Sequence, residues 1–159
     1  MTRQEALRVL WKRLLAMLSL LLAICAGTLW GGTDTANTGV LVFVIGNVGG
    51  YVGMHRSLGE LKDEELTEMA QSWWSIVAPS VIGGVLALVL YILFVSGILA
   101  GDLFPKFAPD TLSAQDKVSA ILTQHAEGMS AYAKLFFWSF VGGFNQKYVV
   151  DIINSVKKK

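Results

Sequence analysis

The side chains best suited to proton transfer in this sequence are its two histidines, His55 and His125. An imidazole changes its charge near neutral pH, so a histidine beside a carboxylate can accept and release a proton. His125 stands two residues before Glu127, whereas His55 closes an apolar run and is followed by Arg56. Because the two histidines fall in separate segments, the pattern favours exposed histidines over a catalytic pair.

Carboxylates are concentrated in one stretch, where a metal ion could use them: Glu60, Asp63, Glu64, Glu65 and Glu68. The stretch lacks the glycine-bearing loop and the alternating ligands of a calcium site, so it predicts the solvated face of a helix. Cys25 is the single cysteine, which excludes an internal disulfide and a cysteine metal site. We therefore predict no catalytic residues, no metal site and no cofactor, and a protein that is not an enzyme.

The composition places these residues in a membrane protein. Hydrophobic residues make up 53% of the 159 residues and charged residues 16%, and the apolar residues come in long blocks. The net charge of +1 indicates no basic surface for nucleic acid. In lipid, a helix satisfies its backbone hydrogen bonds within one segment, so each apolar block predicts a membrane-spanning helix.

The predicted fold is an all-α, polytopic membrane helix bundle that forms one domain over residues 1–159. Its four transmembrane helices are predicted at about residues 10–30, 38–55, 75–100 and 131–150. Three transmembrane helices are the alternative, because the apolar core of the fourth segment has ten residues, too few to span alone. Tyr132 and Tyr148, sixteen residues and roughly 24 Å apart on a helix, favour the fourth crossing as interfacial anchors.

The two longer links are predicted to carry short amphipathic helices. Residues 57–74 combine the acidic stretch with an apolar face and end in the pair Trp73-Trp74, which predicts a helix at the membrane surface. Residues 101–130 predict a helical link, with a helix from Asp110 to Gln124. The first segment has a competing interpretation, a signal peptide cleaved near residues 23–26.

Lysines and arginines predict the orientation of the bundle. With four crossings, ten of the thirteen basic residues lie before residue 14, between residues 55 and 74, or after residue 146. Basic residues accumulate on the cytoplasmic side of membrane proteins. We therefore predict a multi-pass protein of the bacterial inner (cytoplasmic) membrane. Both termini and the 57–74 helix would be cytoplasmic, and the 101–130 link extracytoplasmic.

Small residues in the second and fourth segments predict where the helices meet. Glycines spaced four residues apart let two helix backbones approach closely in lipid, and Asn47 among them can hydrogen-bond to a neighbouring helix. The predicted contact joins small residues of the two segments, and its members are Gly46, Asn47, Gly49, Gly50, Gly53, Ser139, Gly142 and Gly143.

Two short runs carry a resemblance to other proteins. They are Gly143-Phe-Asn-Gln-Lys-Tyr-Val149 in the fourth segment and Gly49-Gly-Tyr-Val-Gly-Met-His-Arg-Ser57 in the second. Together they resemble a group of small bacterial four-span inner-membrane proteins without an assigned activity. The resemblance implies a four-helix membrane fold and carries no functional residue.

The first functional hypothesis is a non-enzymatic inner-membrane protein that binds a partner or associates with itself. Accessory subunits, immunity proteins against membrane-acting toxins and membrane-acting defence effectors have this design. Its partners would be the lipid bilayer and either further copies of the chain or another membrane protein. The alternative is an oligomeric channel or small transporter, although the predicted membrane core lacks the carboxylate, lysine or arginine that ion coupling usually needs. An intramembrane enzyme acting on lipid ranks third for the same reason.

Overall fold

A computed structural model describes residues 3–30, 37–58, 62–107 and 118–146. These residues form helices and no strand, which confirms the all-α prediction for this part of the chain. The elements in chain order are α1 (Arg3–Trp30), α2 (Thr38–Ser57), α3 (Asp63–Gln71), α4 (Trp74–Val95), a 3-10 helix (Val118–Thr123) and α5 (Gly128–Phe144). Three of these helices, α1, α2 and α4, are long and apolar enough to cross a membrane.

The junction between α2 and α3 differs from the prediction of one surface helix over residues 57–74. Ser57, the first residue of the predicted surface helix, is instead the last residue of α2, and its hydroxyl donates to the carbonyl of Met54, 2.7 Å away. The backbone N–H of Leu58 closes α2 on the same carbonyl at 3.2 Å. The surface helix begins at Asp63 instead. Lys62 precedes it as the N-cap residue, and the backbone N–H of Lys62 donates to the carboxylate of Glu65 at 3.1 Å. Residues 59–61 lie outside the described residues.

Helix α4 ends at Val95, five residues before the predicted limit of its segment at residue 100. The cause is Gly97, whose φ of 72° lies in the left-handed region that favours glycine. Its N–H donates to the carbonyl of Phe94 at 3.1 Å, and the N–H of Leu99 donates to Leu93 at 3.2 Å. These turn bonds replace the continuing helical pattern, so the apolar residues after Val95 belong to the link.

Hydrogen bonds hold the described part of the link between α4 and α5. Residues 110–117 of the helix predicted over residues 110–124 lie outside the described residues, and in the described part Val118–Thr123 form a 3-10 helix rather than an α-helix. The hydroxyl of Tyr91 in α4 reaches two carbonyls of the link, Ile121 at 2.8 Å and Gln124 at 3.0 Å. The N–H of Glu127 donates to Lys106 at 2.8 Å, which brings the chain back to the start of α5.

Helices α2, α4 and α5 pack side by side, with α5 parallel to α2 and antiparallel to α4; the start of α5 lies near the start of α2, and its end lies near the end of α2. At one end, the imidazole Nδ1 of His125, just before α5, lies 3.5 Å from the hydroxyl of Thr38. At the other end, the amide of Gln146 donates to the carbonyl of Pro79 near the start of α4, at 2.9 Å. Helix α5 has 17 residues, a length of roughly 25 Å. Residues 147–150 of the predicted fourth span lie outside the described residues.

Helix α1 joins the rest of the chain through its first half. Ala6, Leu10 and Leu14 are fully buried against residues from the end of α2, from α3 and from the start of α4. The guanidinium of Arg13 adds a hydrogen bond of 2.8 Å to the carbonyl of Ala70 in α3. From Leu15 to residue 28, α1 has no buried residue. The position of α1 is therefore fixed at one end of the bundle only.

Candidate functional site

Helices α2, α4 and α5 meet backbone to backbone through glycine. We call this contact the glycine junction; its members are Gly46, Gly49, Gly50, Gly53, Gly83, Gly84 and Gly143. A Cβ placed on Gly50 would lie 2.7 Å from the carbonyl oxygen of Pro79, and one on Gly53 would lie 2.6 Å from that of Phe144. Cβ atoms in proteins do not approach other atoms this closely, so these positions need glycine.

A Cβ on either glycine of one α2 pair would point toward α4 and a Cβ on either glycine of the other toward α5, although the backbone of Gly46 and Gly50 also contacts Gly143. Gly46 and Gly50 face α4, where Gly83 and Ser80 lie against them. Gly49 and Gly53 face α5, where the backbone of Phe144 lies against both. Residues four apart share a helix face and residues three apart lie slightly to one side, so interleaved pairs present two adjacent faces.

The sequence indicated α2 and α5 as partners but missed α4. Gly143 lies against both Gly46 and Gly50, whereas Gly142 and Ser139 are buried elsewhere on α5. The atoms nearest to a Cβ on Gly46 belong to Gly83, Gly84 and Ala87 of α4. The sequence of α4 does carry the pattern of a close helix contact. Small residues are spaced four apart there in two pairs, Ser80 with Gly84 and Gly83 with Ala87.

The polar side chains inside the bundle are satisfied by nearby groups. The hydroxyl of Ser80 donates to the backbone carbonyl of Asn47 at 2.8 Å and approaches its amide oxygen at 3.4 Å, which links α2 to α4. The amide nitrogen of Asn47 donates to Phe43 in its own helix at 2.8 Å. Ser139 donates to Leu135, also within its own helix, at 2.7 Å. Among the described residues, no buried side-chain nitrogen or oxygen lacks a partner.

The glycine junction therefore has the chemistry of a structural contact. Its polar groups are engaged, and they include no group that could transfer a proton or bind a cation as a free ligand. The contact between Gly46 and Gly143 is so close that it leaves no width for an ion path between α2 and α5 at this level. This geometry gives no support to a channel through a single copy of the chain.

Where the structure describes them, the histidines and carboxylates singled out in the sequence lie outside the junction, and the two histidines lie apart from each other; Glu60 lies outside the described residues. The ring of His55 packs edge-on against Trp11, with 4.5 Å between centroids. His125 lies at the other end of the bundle, where its Nδ1 is 2.9 Å from the hydroxyl of Tyr132. Glu64, Glu65 and Glu68 are exposed. Within the described ranges, no three His, Cys, Asp or Glu side chains are grouped as metal ligands.

Comparison with known proteins adds no family. No protein family, curated protein or solved structure matches this chain.

An aromatic layer marks one end of the bundle, where α1 and α2 and the start of α4 come together. The rings of Trp11 and His55 are in contact there, and the guanidinium carbon of Arg13 lies 5.6 Å from the ring centroid of Trp73. Trp74 beside it is 76% exposed. Tryptophan rings and arginine side chains are typical of the interface between lipid and water. We refer to Trp11, His55, Trp73 and Trp74 as the aromatic layer.

A cleft opens beside the glycine junction at the end of the bundle that carries the aromatic layer. Its volume is about 350 Å³, and it lies between the end of α2, the start of α4 and the end of α5. Met54, Met69 and Phe144 give it apolar walls, and Ser57 and Gln146 give it polar ones. A second hollow of about 260 Å³ shares Gly53, Ser57 and Phe144 with the first and adds Arg56 and Asn145. We call the two together the α2–α5 cleft.

Proposed function

We propose that this chain is a non-enzymatic integral membrane protein that acts by associating with another membrane protein or with a second copy of itself. Accessory, immunity and defence-effector proteins act in this way, and the proposal covers all three. The observation that carries it is the second half of α1, from Leu15 to residue 28, which has no buried residue.

The second half of α1 is apolar on every side and contributes little to the packing of its own chain. Across α1 as a whole, 17% of the most apolar stretch is buried, compared with 61% for that of α2, and the buried residues of α1 all precede Leu15. Leu20 and Leu22 are 61% and 53% exposed. A helix in this state within lipid is free to contact another helix.

Small residues on this half of α1 favour a protein partner. Ser19, Ala23 and Gly27 follow one another at four-residue intervals and are exposed, and a Cβ on Gly27 would meet no atom within 4 Å. The glycine junction uses the same spacing, but there every pair lies against a neighbouring helix. This spacing permits close helix contact in lipid. The small-residue face of α1 has no neighbouring helix among the described residues, so it suits a helix from outside the chain.

We further propose four membrane crossings in a bacterial inner membrane, with both termini in the cytoplasm. Helix α5 supports this, because it lies beside α2 from the level of Thr38 to that of Gly53, a distance of roughly 22 Å. A reporter fused after Lys159 is expected to be cytoplasmic, and one inserted near residue 114 extracytoplasmic. A reporter after Lys159 that is active outside the cytoplasm would exclude the fourth crossing.

The association is tested by crosslinking from matched positions in intact membranes. Leu22 in α1 and Val85 in α4 are 53% and 50% exposed. Each lies eleven residues from a tryptophan of the aromatic layer, Trp11 or Trp74, so their depths in the membrane match. Leu22→Cys and Val85→Cys, each in a Cys25→Ser background, would carry a photoreactive maleimide.

We expect the probe at Leu22 to give one discrete protein adduct and the probe at Val85 to give lipid adducts. An adduct with the mass of two chains would identify self-association, and a different discrete mass would identify a separate partner. Lipid adducts alone from both positions would reject the proposal, since both exposed faces would then contact only the bilayer.

A further inference from the structure

The α2–α5 cleft changes character along its length. Its deeper part is formed by glycines of the junction together with Met54, Met69 and Phe144. Its outer part is formed by Arg56, Ser57 and Asn145 at the ends of α2 and α5. An apolar interior that opens to a polar, cationic rim matches a ligand with an apolar tail and an anionic head.

The charge of the cleft comes from Arg56. Among the described residues that line the cleft, Arg56 is the only one with a charged side chain. The carboxylates of α3 nearest in sequence to Met69, those of Glu65 and Glu68, are exposed and line neither hollow. The end of α2 carries a partial negative charge of about half a unit, which the full charge of the guanidinium outweighs. A guanidinium also binds the oxygens of a phosphate in a paired geometry.

The depth of the cleft agrees with a lipid head group. Arg56 directly follows His55, whose ring contacts Trp11, so the rim of the cleft lies at the level of the aromatic layer. Tryptophan occupies the head-group region of a bilayer, and the hydrocarbon region begins below it. Gly50 and Met54, which precede Arg56 in α2, are thus at the depth of acyl chains.

We propose that the α2–α5 cleft binds one anionic phospholipid. The phosphate of the lipid lies against Arg56 and Ser57, and the start of one acyl chain lies along Met54, Met69 and Phe144. This assignment depends on the same membrane placement as the proposed function but not on association through α1. A failed crosslink at Leu22 would therefore leave it intact, and a failed lipid test would leave the association intact.

Native mass spectrometry of the full chain in detergent tests the assignment, with phosphatidylglycerol and phosphatidylcholine as the probes. We expect one phosphatidylglycerol to bind at least about tenfold more tightly than phosphatidylcholine, the ratio expected for one charge-assisted pair. Arg56→Gln is expected to remove this preference. Arg8→Gln is the matched control, because Arg8 is also an exposed arginine and lies outside the cleft.

A second variant tests the walls of the cleft independently of charge. Ser57 is exposed at the rim, so Ser57→Trp would fill the cleft without entering the glycine junction. We expect it to abolish binding of both lipids while the thermal midpoint in detergent stays unchanged. If Ser57→Trp bound lipid as the unchanged chain does, the cleft would not be the site.

Other outcomes separate the remaining explanations and overturn the assignment. Equal binding of both lipids, or equal loss of preference in Arg56→Gln and Arg8→Gln, would indicate general attraction between charges. Displacement of the lipid by millimolar glycerol phosphate or inorganic phosphate would identify a soluble phosphate ligand instead. Absence of any bound lipid from the unchanged chain would reject the assignment.

Discussion

The glycine junction and the second half of α1 are built from similar residues but are used differently. Both contain small residues at four-residue spacing within an apolar helix. In the junction, a Cβ on Gly143 would collide with the backbone of Gly46, whereas a Cβ on Gly27 would meet nothing within 4 Å. The spacing alone therefore indicates that a helix can be approached closely; it does not indicate whether the approaching helix belongs to the same chain.

The largest effect is expected from a bulky side chain inside the junction. Gly143→Leu would force α5 away from Gly46 and Gly50, because no flexible side chain there can move aside. We expect a loss of roughly 3 kcal/mol or more, enough to prevent most of the chain from folding. The measurement is the thermal midpoint in detergent, together with the yield of monodisperse protein.

Gly27→Leu is the matched control for this comparison. It makes the same substitution in the same kind of segment, but the new side chain enters open space. The free energy of unfolding is therefore expected to change by less than about 0.5 kcal/mol, with a correspondingly small shift of the thermal midpoint. Similar losses at both glycines would contradict the distinction between the two regions.

The next effect is expected at the polar contact between α2 and α4. Asn47→Leu removes the amide that Ser80 approaches at 3.4 Å and the bond to Phe43 at 2.8 Å. Its side chain also lies against Gly84, so a branched replacement fits poorly. We expect a loss of about 1–2 kcal/mol in thermal or denaturant unfolding.

Ser139→Ala serves as the comparison, since among the described residues the Ser139 hydroxyl donates within its own helix, to the carbonyl of Leu135. We expect it to cost less than about 0.5 kcal/mol. An equal or larger cost for Ser139→Ala would show that α5, rather than α4, provides the important polar contact with α2.

A smaller effect is expected where α1 is attached. Arg13→Gln removes the bond to the carbonyl of Ala70 and the contact with the Trp73 ring. We expect a loss of about 1 kcal/mol, seen as faster hydrogen exchange in α1 and α3 and not in α4. Lys12→Gln is the control, because Lys12 is exposed at the neighbouring position. Faster exchange throughout the bundle would mean that α1 stabilises more than its own attachment.

The smallest effect on folding is expected in the second half of α1. Ile24 is 41% exposed, and Ile24→Ala in lipid is expected to change stability by less than about 0.5 kcal/mol. The same variant should reduce the crosslinked species formed from Leu22, because both residues belong to the proposed contact helix. A large loss of stability would show that α1 packs against its own chain in the membrane.

Local sequence patterns predicted where the helices are, but they did not predict which helices pack against one another. The apolar blocks gave α1, α2 and α4, because hydropathy depends on composition within a segment. Helix ends were misplaced where one hydrogen bond or one dihedral angle decides them, as at Ser57 and Gly97. The contact of Gly46 with Gly83 was missed because spacing shows which residues are small, not which helices lie together.

The α2–α5 cleft could not be predicted at all. It arises where three helix ends fail to fill the space between them, and its walls come from residues far apart in sequence, such as Met69 and Phe144. Arg56 appeared in the sequence only as one of ten basic residues on the predicted cytoplasmic side. Its role at the rim depends on the position of Asn145 at the end of α5, which no local pattern encodes.

Two helices lie against adjacent faces of α2, so the rotation of α2 about its own axis determines both of these contacts. One residue inserted between Gly46 and Gly49 would turn the rest of α2 by about 100° and carry Gly50 and Gly53 away from their partners together. The same insertion beyond Leu14 in α1 would turn a surface that holds no buried residue. A change in length beyond Leu14 in α1 would therefore leave the glycine junction in register.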